Sequence, residues 1–75
     1  MPALPVISGA DAVRAFGHAG WLAVRQRGSH IIMVKEGSQV SLSVPAHREI
    51  ARGTLRSLVR DANLTVEEFI ALLNA

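Results

Sequence analysis

Seventy-five residues without a cysteine exclude a disulfide framework and thiolate metal sites, and they leave room for a single domain over residues 1–75 with a thin core. The net charge of +2 conceals an asymmetry: residues 1–60 hold all eight lysine and arginine side chains against three acids, whereas residues 61–75 hold three acids and no base. Seven of the eight cations are arginine, whose planar fork matches phosphate, so the composition admits both a polyanion-facing patch and a plain solvated surface.

The opening stretch "MPALPVISGADAV" lacks a basic n-region and is broken by Pro2 and Pro5, so it does not read as a signal peptide. No apolar run approaches the roughly 18 residues that cross a bilayer. A soluble, cytoplasmic protein is expected, with a partner or self-association supporting its small core.

Ser8, three residues before Asp11, supplies an N-cap with an acid in the first turn, and Ala12, Val13, Phe16 and Ala19 recur at helical spacing. The pattern predicts a first helix over residues 9–19, stopped at Gly20. His18 falls in its last turn, where a cation suits the helix dipole better than it suits chemistry.

From residue 21 to 44 the pattern changes to "WLAVRQR", "HIIMVKE" and "QVSLSV", separated by Gly28-Ser29 and Gly37-Ser38. This predicts a three-stranded antiparallel meander whose first turn is of type II′, with Arg27 opposite His30. Alternation places Leu22, Val24, Ile31, Met33, Val40, Leu42 and Val44 on a helix-covered face. Trp21, Ala23, Arg25, Arg27, His30, Ile32, Val34, Ser41 and Ser43 fall on the other, mixed and cationic face, although Trp21 has the option of curling around the sheet edge.

Beyond the proline of "VPAHREIARG", Leu55, Leu58, Val59 and Ala62 form one helical stripe and Arg52, Arg56 and Arg60 another. Asn63 suits a left-handed helix end. Thr65 and Glu68 then form a capping box for a short third helix carrying Val66, Phe69, Ile70 and Leu73. The reading is an α+β fold, order α-β-β-β-α-α, with a three-stranded antiparallel sheet covered by helices on one face.

Histidines at 18, 30 and 47 have neither helical nor hairpin ligand spacing, so neither a metal nor another cofactor is expected. Glycine patterns for nucleotide phosphates and a Ser-His-Asp set are missing too. What remains is His30 among Arg25, Arg27 and Ser29. A neutral imidazole can take a proton from a ribose 2′-hydroxyl and, once protonated, give one to a leaving 5′-oxygen, while guanidinium groups hold the phosphate between. The residues alone leave open an ordinary surface histidine beside a turn. His47, in "VPAH", reads as a loop cap, an assistant to His30 or a partner contact.

Taken together, "SGADAVRAFGHAGWLAVRQRGSHIIMV", "VSLSVPAH" and "GTLRSLVRDANLTVEEFIALL" closely resemble the HicA, or YcfA-like, family of bacterial mRNA interferase toxins over residues 6–73. The ordered set of "RQRGSH", "VPxH" and "GTLRxxxRxAxLTxEEF" carries the resemblance. It implies a fold like the double-stranded RNA-binding domain, a single catalytic histidine at His30, mRNA as substrate, and a HicB-like antitoxin that covers the active face within a toxin-antitoxin complex of higher order. On that basis Arg25, Arg27, Ser29, Lys35, Arg56 and Arg60 are the candidate RNA contacts, with His47 as an auxiliary candidate. The turn "EGSQ" departs from relatives in lacking a basic residue after its glycine. The alternatives are a non-catalytic RNA-binding module and a degenerate subunit that only binds the antitoxin.

Overall fold

The first helix, α1 (Gly9–His18), begins where Ser8 and Asp11 cap one another. The Ser8 hydroxyl accepts from the Asp11 N–H at 3.1 Å, and the Asp11 carboxylate accepts from the Ser8 N–H at 3.5 Å. This reciprocal box holds the helix start in place. Ala19 closes the helix and Gly20, at φ 98°, redirects the chain in a conformation that a Cβ would strain. The computed structural model describes residues 3–75; Pro2, one of the prolines that break the opening stretch, lies outside the described residues.

Three strands follow, β1 (Leu22–Arg27), β2 (His30–Val34) and β3 (Leu42–Pro45), paired antiparallel in the order β1-β2-β3. Two helices, α2 (Arg52–Asp61) and α3 (Val66–Leu73), complete the predicted α-β-β-β-α-α order. All three helices lie on one side of the sheet. Met33, Leu42 and Val44 point from the sheet into a core built with Ala12, Ala15, Phe16, Leu55, Leu58, Val59 and Phe69. The Phe16 and Phe69 rings, tilted with centroids 5.0 Å apart, join α1 to α3 and add about 0.5–1.5 kcal/mol beyond their area. Leu4, Ile7 and Ile50, from the segments flanking α1 and preceding α2, are buried as well and were not part of the predicted stripes.

The helical readings hold. Leu55, Leu58, Val59 and Ala62 are buried together, Asn63 takes the left-handed conformation at φ 61°, and Thr65 and Glu68 cap each other at 2.8 and 3.0 Å.

The strand faces differ from simple alternation at one place. Ala23 pairs with Met33 but Arg25 pairs with Ile32, so Val24 is an extra residue in β1. Such a bulge reverses the faces of everything that precedes it. Leu22 therefore lies opposite Val34 on the open face, 67% exposed, and Val24 is 54% exposed; neither joins the core. Ala23 moves to the Met33 side. Trp21 is only 3% exposed: it turns in around the sheet edge, its backbone N–H donating to the Phe16 carbonyl at 3.1 Å. The third expected strand also starts later, because residues 35–41 form a loop rather than a two-residue turn and leave Val40 49% exposed.

Candidate active site

The β1–β2 hairpin positions the first site residues. Its turn is Gly28-Ser29, with Gly28 at φ 58° and Ser29 outside the positive-φ region. That pattern fits type II′ and rules out type I′, which needs positive φ at both positions. The turn sets Arg27 directly across from His30, and two residues on Arg25 pairs with Ile32. Paired residues share a face, so Arg25, Arg27, His30 and Ile32 all lie on the side of the sheet away from the helices. Because the bulge lies beyond Arg25, it leaves this cluster in the predicted register.

β3 brings the next residues. His30 pairs with Pro45 and Ile32 with Ser43. The Ser43 hydroxyl is 3.1 Å from His30 Nδ1, which makes it a diagonal neighbour that holds the ring. Sequence reasoning placed Ser43 on the open face but gave it no role. The strand register was the only signal that could have found it, since no motif spans the 13-residue separation of the two side chains. If the hydroxyl accepts from Nδ1–H, the lone pair sits on Nε2, and the bond survives when the ring takes a second proton. Arg25, Arg27, His30, Ser43 and, further along, His47 are all exposed.

His47 lies just beyond β3, its ring centroid 6.5 Å from that of His30 with the planes at 61°. The backbone puts it there. The Ala46 N–H donates to the Ser29 carbonyl at 2.6 Å, tying the segment to the hairpin turn, and the Gly9 N–H donates to the His47 carbonyl at 2.8 Å. Gly9 is essential to that approach: a Cβ there would overlap the Pro45 carbonyl oxygen and come within 3.0 Å of Ala46 Cα.

The remaining candidates are spread more widely. Ser29 contributes its carbonyl to the clamp, and its side chain is exposed in the turn. Lys35 is five residues along from His30, about 16 Å in extended chain. There it lines a hollow of about 370 Å³ with Trp21, Asp61 and Asn63. Arg56 and Arg60 belong to α2, in the helical layer beneath the sheet, where Arg60 Nε is 3.9 Å from the Asp61 carboxylate. The structure thus unites Arg25, Arg27, Ser29, His30 and His47 at one end of the sheet and leaves Lys35, Arg56 and Arg60 elsewhere. Among the described residues no three histidine or acidic side chains gather, His18 being at the far end of α1. Among the described residues no helix is long and apolar enough to cross a membrane.

Residues 9–64 match the model of the family described as HicA toxin of bacterial toxin-antitoxin, a stretch that runs from the start of α1 past the end of α2. No curated protein matches the chain.

Proposed function

This chain belongs to the HicA toxin family and is the toxin component of a toxin-antitoxin pair, and from that premise we propose that it is an endoribonuclease of mRNA whose chemistry runs on protein acid–base groups without a metal. The observation that carries the reading is His30: an exposed imidazole at a hairpin end, held at Nδ1 by Ser43 and faced by Arg27 across the ladder. Its Nε2 is free to take the proton of a ribose 2′-hydroxyl. The guanidinium groups of Arg25 and Arg27 hold the scissile phosphate and offset the charge that builds on it. One acid–base group of this kind contributes about 10²- to 10⁴-fold. The substrate places the activity in the cytoplasm.

The antitoxin we propose is HicB-like and covers the open sheet face. Half-buried Ile32 and Val34 and exposed Leu22 give that face an apolar component beside its cations, a mixture suited to a protein partner. Its carboxylates would occupy the guanidinium groups in place of phosphate.

The test is His30→Ala in the purified chain and in a bacterial host. Because the side chain is exposed, the variant should keep the fold by circular dichroism while RNA cleavage and growth arrest disappear. A folded variant that still cuts RNA at the parental rate would refute the assignment. RNA bound at saturation by the parent chain but left intact would favour a non-catalytic binding role.

A further inference from the structure

We propose that His47 is a second catalytic imidazole, the general acid that protonates the leaving 5′-oxygen while His30 acts as base. The inference rests on the ribonuclease reading and changes it from a one-histidine to a two-histidine centre.

Three observations carry it. The ring centroids are 6.5 Å apart. At that spacing the nearest ring nitrogens stand roughly 4 Å apart or more, beyond a direct hydrogen bond. A phosphate held over the gap, by contrast, comes within about 3 Å of a nitrogen on each ring. Secondly, the two rings are held differently: His30 is tied at Nδ1 to the Ser43 hydroxyl, which leaves its Nε2 facing outward, whereas the His47 ring enters no hydrogen bond among the described residues, so both of its nitrogens are open to a bound phosphodiester. Thirdly, the backbone around His47 is cross-linked to the hairpin turn at Ser29 and to the start of α1 at Gly9, with Ile50 N–H to Ile7 carbonyl at 2.9 Å just downstream. Those bonds hold the backbone of the His47 segment against the hairpin turn, so that the two rings are within reach of one another.

The step balances without a co-reactant. The 2′-oxygen bonds to phosphorus and its proton passes to His30 Nε2. The bond from phosphorus to the 5′-oxygen breaks, and that oxygen takes a proton from His47. The products are a 2′,3′-cyclic phosphate and a 5′-hydroxyl, with the rings left in exchanged protonation states that solvent water resets. With a single ring, the same proton would have to be taken and then delivered across the phosphate in sequence.

The experiment uses an RNA oligonucleotide that the parent chain cuts, and the same strand with sulfur in place of the leaving 5′-oxygen at that site. A thiolate leaves without a proton, so it does not need the general acid. Under single-turnover conditions His47→Ala should cut the ordinary strand about 10²- to 10⁴-fold more slowly than the parent, yet cut the sulfur strand within about tenfold of it. His47→Gln, which keeps a polar group of similar reach, should behave the same way. His30→Ala should fail on both strands. A His47 variant that cuts the ordinary strand at the parental rate overturns this inference and leaves the ribonuclease reading intact. One equally slow on both strands gives His47 a structural or binding role and overturns it too. Failure of the parent chain to cut any RNA from which such a strand could be chosen removes the ribonuclease reading itself.

Discussion

Replacing Gly9 with alanine tests the clamp that joins α1 to the His47 segment. In most helices the exchange stabilises by about 0.5–1 kcal/mol, because alanine loses less backbone freedom on folding. Here the new methyl group overlaps the Pro45 carbonyl oxygen, and the segment has to retreat by roughly an ångström to restore a normal separation. Overpacking of this kind costs about 1–3 kcal/mol. The Gly9 N–H to His47 carbonyl bond, 2.8 Å, is stretched or broken at a further cost of about 1 kcal/mol. After the helix gain is subtracted, the net loss is about 1–3 kcal/mol. With a urea slope of about 1 kcal/mol per molar for a chain of this size, the unfolding midpoint falls by about 1–3 M. Gly17→Ala is the internal control: it lies in the same helix with open space around its missing Cβ, and should raise the midpoint instead. On the proposed mechanism, displacing the His47 segment by an ångström also costs about 10²-fold in rate, so Gly9→Ala should slow RNA cleavage even where it remains folded. Equal stabilisation by Gly9→Ala and Gly17→Ala in urea titrations would refute the close approach and the clamp together.

Leu22→Thr and Val24→Thr should each change stability by less than about 0.5 kcal/mol, because the bulge leaves both side chains in solvent, while Leu42→Ala should cost about 2–5 kcal/mol by chemical denaturation. Asn63→Gly should stabilise the chain by up to about 1 kcal/mol, since φ 61° is strained for any residue with a Cβ; an unchanged thermal midpoint would argue against that conformation. RNA binding, measured across a salt series in the His30→Ala background, should lose about one phosphate contact for each of Arg25→Gln and Arg27→Gln. Arg56→Gln and Arg60→Gln should have a smaller effect, because α2 lies in the layer beneath the reactive face; a larger effect from the α2 pair would move the RNA path off the hairpin.

Local chemistry was enough to determine much of this protein. Helix limits were legible because Ser8–Asp11 and Thr65–Glu68 are caps whose partners lie three residues apart, and Leu55, Leu58, Val59 and Ala62 repeat with the helix period. The Gly28-Ser29 turn determined that Arg27 would face His30, since a two-residue loop sets the register of the residues beside it. The tertiary structure alone decided the rest. Nothing in "WLAVRQRG" marks Val24 as an extra residue, because a bulge is a property of two strands meeting and one strand in isolation alternates regularly. Similarly, the Ser43–His30 bond and the 6.5 Å between His30 and His47 arise from strand pairing and from Gly9 admitting the loop close to α1. Spacing along a chain reports only neighbours within a few residues, whereas a side-chain cluster assembled from three segments depends on how those segments pack.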